Sequence, residues 1–491
     1  MNVVLIANLG TSDVKFDGKY LKDRPRSQGA EILNCLNEDF SLFRQAIEFP
    51  ILEPIINELG TVDLLILLAT DQHQGTTREN FWEKDTIYVA DIIKTVMTKD
   101  DTFKKKVKDI EILTITSAPN NYDVMFKEYQ GLLQNKIVKI VKEKGFTGYN
   151  DVYISVTAGT PACNLALMYS SIHENQLGFK QFVYTSEGEQ EEPVKYLQLG
   201  RTIQGQQLIQ LSDQFLRTYN YEGLLEFTKE FDDFFRNDDL LTAMIEVLHY
   251  RKNFRFGEAS KLLQDFLRTG KVEGQPKRIF RIVSEEVNKV QTGISQLNRD
   301  FTGEGITQEI KAVIAELFWN ATICYETGHY VDFLGRFWRL QESLLRLVFE
   351  EKLGINAKKE NSDKVKNKVR DNSELLTYLR KNGVDLNRNL NRFFYYHTLK
   401  FFLKEDDIFL KWVEKGDFGE NSDKKIVSLR NKSILGHEFE GVNKKIIAES
   451  WYGDILGDTQ RLLENYFGIQ FDHSGINEAH KWILDRISKK L

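Results

Sequence analysis

The sequence predicts a multidomain protein: an α/β domain on a mostly parallel sheet, followed by a region that is helical throughout. Three observations predict it. Up to about residue 200, short apolar runs alternate with amphipathic stretches, the strand, loop, helix rhythm of a doubly wound sheet. After about residue 205, apolar residues recur at spacings of three and four, the period of a helix. At 491 residues the chain is too long for one hydrophobic core, so two or three domains are expected.

The predicted strands are Val3-Val4-Leu5-Ile6-Ala7, residues 62–69, 110–115 and 152–156, and Phe182-Val183-Tyr184. All are short and rich in aliphatic or aromatic residues, and most end in polar or glycine-containing turns, as strands buried on both faces do. Between them the helical pattern is clearest over 122–144 and 162–174. The apolar start has no basic leader and runs straight into Thr11-Ser12-Asp13, so it reads as a strand and not a signal peptide.

In such sheets ligands gather at the carboxyl ends of the strands, and the small polar residues stand there. They are Asn8-Leu9-Gly10-Thr11-Ser12-Asp13 after the first strand, Thr70-Asp71-Gln72 after the second, Thr116-Ser117-Ala118-Pro119-Asn120 after the third and Thr157-Ala158-Gly159-Thr160-Pro161 after the fourth. The last is the sharpest, since a glycine and a proline at a helix start aim free backbone N–H groups at a phosphate or ribose. Each loop alone also reads as an ordinary strand-to-helix turn. The dinucleotide fingerprint is absent: Gly303-Glu304-Gly305 lacks its third glycine and follows no strand. No P-loop lysine occurs either.

In the second half the helical stripe is kept by Leu208-Ile209-Leu211-Phe215-Leu216, Leu224-Leu225-Phe227-Phe231 and residues 240–248. It continues over 308–327, 330–352, 375–381, 391–403 and 446–466. Residues 270–276 read as a loop and 301–305 as a domain boundary. The lysine-rich stretch 364–370 reads as a solvated helix face or a mobile loop rather than a phosphate contact. Trp338, Trp412 and Trp451 fall in helical stripes and are expected in the core. His173, His249, His329, His397 and His480 fit no metal-ligand spacing.

Composition narrows the function. With 41% hydrophobic and 28% charged residues the chain is an ordinary globular protein, and its net charge of −6 argues against broad coating of nucleic acid, so any RNA contact is a local cleft. Cys35, Cys163 and Cys324 make neither a disulfide framework nor a zinc site, which fits a reducing cytoplasm. No metal site, resident cofactor or membrane span is expected.

The most chemical stretch is Val427-Ser428-Leu429-Arg430-Asn431-Lys432-Ser433-Ile434-Leu435-Gly436-His437. If it is helical, Arg430 and His437 share a face about 10 Å apart along the axis. A guanidinium holds a phosphate in two-point contact and an imidazole moves protons near neutrality, which is enough to cut RNA without a metal. Arg392 and His397 imitate the pair, but their spacing of five sets them roughly 140° apart on a helix, among aromatics.

An α/β domain with Asn-Leu-Gly-Thr-Ser-Asp at its first strand and Thr-Ala-Gly-Thr-Pro at its fourth, followed by helices carrying Arg-Asn and a later His, resembles a known family. These are the CRISPR-associated type III accessory ribonucleases of Csm/Csx type, an amino-terminal CARF domain joined to a carboxyl-terminal HEPN domain. The resemblance implies a Rossmann-like CARF domain over 1–204, a helical linker region over 205–305 and a helical HEPN domain over 306–491. It implies a cytoplasmic homodimer whose CARF pair binds a cyclic oligoadenylate, tetra- or hexa-adenylate, and whose HEPN pair cuts single-stranded RNA in antiviral defence. Asn8, Gly10, Thr11, Ser12 and Asp13 then match the first-strand loop and Thr157, Ala158, Gly159, Thr160 and Pro161 the fourth, with Thr70, Asp71 and Gln72 beside them. Arg430, Asn431 and His437 match the nuclease motif. The six residues between Arg430 and His437 are at the long end of the motif's range. Slow cutting of the activator by the CARF pocket itself is a further implied activity, for which Thr160, Thr11 or neighbouring polar residues would position a ribose hydroxyl.

The competing reading is a non-catalytic nucleotide sensor whose helical half binds or regulates a partner. Against it, no helix-turn-helix signature stands in the helical half. A cofactor-binding oxidoreductase founders on the missing glycine fingerprint.

Overall fold

The computed structural model describes residues 2–72, 81–146, 150–174, 176–177, 180–186, 193–231, 235, 238–270, 272–298, 306–357, 362–386, 390–418, 425–436 and 440–490. The chain divides into two compact units, Met1–Gln210 and Leu211–Lys490.

The first unit holds strands β1 (Asn2–Asn8), β2 (Lys15–Phe16), β3 (Lys19–Tyr20), β4 (Ile47–Glu48), β5 (Leu64–Thr70), β6 (Ile110–Ile115), β7 (Asn150–Ser155), β8 (Lys180–Thr185) and β9 (Val194–Leu197). Six of them form one sheet in the order β6-β5-β1-β7-β8-β9, and the two-residue strands β2, β3 and β4 form a small second one. Within the main sheet every pair is parallel except β8 with β9. Taken in chain order, the six strands lie 3-2-1-4-5-6, so the winding reverses between β1 and β7. That reversal opens a crevice at the carboxyl ends of these two strands.

Both faces of the sheet are covered, which is why its strands read as unbroken apolar runs. Leu5, Ala7, Leu65, Leu67 and Ala69 point to a core shared with helices Pro25–Glu38, Leu52–Leu59 and Ile87–Lys99. Their alternates Val4, Ile6, Leu64, Ile66 and Leu68 point to another, shared with helices Tyr122–Gly131 and Pro161–Ile172. Truncating one of these fully buried side chains, such as Ile66, to alanine costs about 2–5 kcal/mol. The edge strand β9 carries no apolar run, and periodicity alone did not reveal it.

The described secondary structure of the second unit is helical, as expected. Two details differ from the pattern. The stripe over 446–466 is broken into helices Lys444–Trp451 and Ile455–Asn465, because Tyr452 and Gly453 take positive φ and Asp454 caps the second helix through Gly457 N. Within 270–276, the helix Gly274–Asn298 already begins. The expected boundary at 301–305 lies outside the described residues. The lysine-rich stretch is on helix Ser362–Arg370, where Val365 and Val369 are buried and Lys364 and Lys368 exposed.

One ion cluster ties the helices before residue 300 to those after it. Arg251, buried on helix Asp239–Lys252, donates to both oxygens of Glu316 at 2.7 and 2.8 Å and to Glu286 at 2.5 Å. Glu286 stands on helix Gly274–Asn298 and Glu316 on Gln308–Glu326. The region 205–305 therefore packs, from residue 211 on, in the same unit as 306–490. Trp412 and Trp451 sit in the core as expected, each 5.4–5.9 Å from Phe337, whereas Trp338 is only half-buried.

Candidate functional site

The crevice between β1 and β7 is a cavity of about 440 Å³. Of the residues expected there, Asn8, Gly10, Thr11, Thr70, Gln72, Gly159 and Thr160 line it, while Ser12, Asp13, Asp71, Thr157, Ala158 and Pro161 do not. The two loops meet through glycine. Gly159 has φ +89°, a conformation L side chains rarely adopt, and its α-carbon faces Asn8.

The floor is a fixed amide network. Tyr129 donates its hydroxyl to Asn8 Oδ1 at 2.6 Å, Asn8 Nδ2 donates to Asn164 Oδ1 at 2.8 Å, and Asn164 Nδ2 donates to the Val156 carbonyl at 3.1 Å. Asn8 thus comes to the cavity with its rotamer set. Beneath the first loop, Asp13 is fully buried, accepting the Gly10 N–H at 2.6 Å through one oxygen while the other has no hydrogen-bond partner among the described residues. Burial pushes its carboxyl up to about 7, the Gly10 N–H pulling the other way.

The residues after β5 act as a brace. Thr70 and Thr86 exchange backbone-to-hydroxyl bonds at 3.0 and 3.1 Å. Asp85 accepts from Gln72 N at 2.6 Å and Gln72 Nε2 at 2.9 Å, and Arg26 pairs with both Asp71 and Asp85. Together they fasten Phe81–Lys84 beside the cavity, where exposed Phe81 and Lys84 join the lining. Sequence reasoning missed Phe81, Lys84 and Tyr129, since no local pattern marks them.

Two other expectations change. Thr157 does not face the cavity; its hydroxyl accepts the Thr185 N–H at 2.8 Å and braces β8. Thr160 caps helix Pro161–Ile172, accepting from Cys163 N at 3.2 Å and donating to the Pro119 carbonyl. One N–H group that was expected to aim at a ligand is therefore already satisfied.

In the second unit, Arg430 and Asn431 lie on helix Ile426–Lys432. That helix stops at Lys432, with Ser433 extended at ψ 174°, so the continuous helix that would set Arg430 and His437 on one face is not formed. Buried Ser433 is the cause: its hydroxyl donates to the Arg430 carbonyl at 2.8 Å and accepts the Leu435 N–H at 3.3 Å, turning the chain. Gly436 lies against the Asn431 backbone, and Glu440 N returns to the Lys432 carbonyl at 3.1 Å. His437 lies outside the described residues.

Arg430 Nη1 donates to Asn431 Oδ1 at 3.0 Å, and its guanidinium lies over the Trp338 ring, 5.2 Å from the centroid. Among the described residues no carboxylate pairs with it. Arg392 is different: it is nearly buried, donating to Asp417 at 3.1 Å and Gln341 at 2.7 Å, so its guanidinium is committed inside the fold. His397, on the same helix Arg392–Phe402, packs on Phe393, and burial holds its pKa below the ordinary histidine value. The imitation pair is thus a structural one. Among the described residues, no helix is long and apolar enough to cross a membrane.

The first unit thus holds a crevice at the switch point of a 3-2-1-4-5-6 sheet, and the helical second unit an arginine without a carboxylate partner among the described residues. Residues 303–450 match the family described as the Csm6 HEPN domain. Among solved structures, the chain is similar to Csm6 of Enterococcus italicus, determined bound to cyclic hexa-2′-fluoro-hexa-dAMP, with 14% identity, a TM-score of 0.55 and 100% of each chain covered. No curated protein matches the sequence. Residues 303–450 are thus similar to a Csm6 HEPN domain, and the fold of the whole chain is similar to that of the Enterococcus italicus Csm6.

Proposed function

We propose that this protein is a metal-independent, single-strand-specific endoribonuclease of type III CRISPR antiviral defence, switched on by a cyclic tetra- or hexa-adenylate. The observation that carries the reading is Arg430, a cation steered by Asn431 and Trp338, left without a carboxylate among the described residues, inside the segment that matches a HEPN domain. An arginine so placed is available to a phosphate.

The chemistry follows from RNA itself. The 2′-hydroxyl attacks the adjacent phosphorus, its proton leaves, and the bond to the 5′-oxygen breaks as that oxygen takes a proton, giving a 2′,3′-cyclic phosphate and a 5′-hydroxyl. His437 handles a proton on the attacking or leaving oxygen, Arg430 offsets charge on the pentavalent phosphorane, and Asn431 orients Arg430. Two copies of the chain complete one site. Residues 1–204 sense the activator, 205–305 transmit, and 306–491 cut. The activator acts by binding better to the geometry in which the nuclease pair closes.

The test is cleavage of a fluorescent single-stranded RNA by the full chain with cyclic tetra-adenylate or cyclic hexa-adenylate, alongside His437→Ala. One ring is expected to trigger cleavage, and His437→Ala to lose about 100-fold or more. Undiminished cleavage by that variant removes His437 from the mechanism. No cleavage with either ring favours the non-catalytic regulator. Slow self-cutting of the activator would rest on Thr11 rather than Thr160, whose hydroxyl is engaged in a cap. Prolonged incubation of activator with an Arg430→Ala, His437→Ala variant reads it, and intact activator rules it out.

A further inference from the structure

Trp338 stands on helix Tyr330–Leu353 with two guanidinium groups over its ring: Arg392 at 4.0 Å from the centroid and Arg430 at 5.2 Å. The helical stripe made it look like a third core tryptophan. Yet Trp451 is fully buried and Trp412 is 5% exposed, both fixed by indole hydrogen bonds to Asp458 and Thr459, while Trp338 is half-buried.

The two arginines differ in freedom. Arg392 is locked by Asp417 and Gln341, and its remaining Nη1 is buried with no hydrogen-bond partner among the described residues. Arg430 is half-buried and, among the described residues, held only by the neighbouring amide and the indole. Asp417 offsets one of the two positive charges that converge on the ring, and no carboxylate among the described residues offsets the other. A π face attracts a guanidinium and fixes the plane in which it lies, while like charges repel, so a locked Arg392 turns the less constrained Arg430 toward an incoming anion. Leu435, beyond the helix end, approaches Gly335 of the same helix at 3.2 Å from where a β-carbon would stand, which seats the turn after Arg430 one helical turn from Trp338.

We infer that Trp338, backed by Arg392, is the platform that positions Arg430 against the scissile phosphate, and so is a positioning residue of the nuclease step. This rests on the reading of Arg430 as the phosphate ligand. Trp338 acts through the orientation of that guanidinium, so it governs the rate of the bound complex and not the hold on RNA.

The experiment uses the full chain with the cyclic adenylate that activates it and compares Trp338→Leu, Trp338→Phe, Arg430→Lys and the double variant Arg430→Lys, Trp338→Leu. Trp338→Leu is expected to lower kcat about tenfold with KM within about twofold, and Trp338→Phe, which keeps a π face, to stay within about threefold of wild type. The double variant is expected to be no slower than Arg430→Lys alone, since the platform has then lost the group it positions. Melting curves accompany each variant; should Trp338→Leu not fold, Trp338→Met, which also lacks a π face, takes its place alone and combined with Arg430→Lys. The inference is overturned if Trp338→Leu keeps its kcat, if its loss falls on KM, if Trp338→Phe is as slow as Trp338→Leu, or if the losses at 338 and 430 multiply. Arg430→Lys as fast as wild type overturns the reading of Arg430 and this inference with it, whereas a slow Arg430→Lys beside a fast Trp338→Leu overturns the inference alone.

Discussion

A β-carbon placed on Gly10 would stand 2.8 Å from the backbone nitrogen of Gly159, closer than real contacts allow. The ends of β1 and β7 therefore approach at a distance that only glycine permits, and this approach shapes the crevice. Gly10→Ala is expected to push the two loops apart, raising the activator concentration for half-maximal cleavage by about tenfold or more. An activator titration checks it, and an unchanged midpoint would place the activator elsewhere.

Lys84 and Phe81 reach the cavity from a segment fastened by Asp85 and Thr86. With a polyanionic activator in the cavity, Lys84→Ala is expected to weaken its binding by about threefold to tenfold, and more so at low salt. Isothermal titration at two ionic strengths measures this. A salt-independent loss would mean that the lysine acts through packing.

Asp13 gives the first unit a pH dependence of known sign. A carboxyl whose pKa rises on folding from 3.8 to about 7 binds more protons folded than unfolded between those values. Its contribution to stability is therefore present at low pH and lost as pH rises through about 7. Asp13→Asn keeps an acceptor for the Gly10 N–H without the charge. Its advantage in melting temperature over wild type is expected to grow from about pH 5 to about pH 8. A constant difference across that range would show that Asp13 does not titrate there.

The Arg251 cluster predicts a stability effect within the second unit. Glu316→Ala leaves a buried guanidinium with Glu286 alone and is expected to cost about 3–5 kcal/mol in urea unfolding. Replacing Arg251 and Glu316 together by methionine and leucine is expected to cost much less, because no uncompensated charge remains.

Much of the first unit was legible because buried parallel strands write themselves as apolar runs and strand ends as small polar residues. Asn8, Gly10, Thr11 and Gly159 were found in that way. Lys84, Phe81 and Tyr129 were not, because they reach the crevice only through tertiary contacts that no local spacing encodes. In the second unit the helical period gave the helices but not their ends. Ser433 ends the Arg430 helix by back-bonding to the Arg430 carbonyl, and Trp338 shares its period with core tryptophans although it faces two guanidiniums.

The 3-2-1-4-5-6 strand order also bears on how the protein is made. β1 is synthesised first, yet the strand on one of its sides, β7, spans Asn150–Ser155. While the ribosome adds those intervening residues, β1 can pair with β5, and β5 with β6, but β1 offers an open apolar edge on its other side. The nascent chain can thus form half a sheet, but the crevice cannot exist before β7 and the loop after it have been added, and translation arrested earlier yields an aggregation-prone fragment.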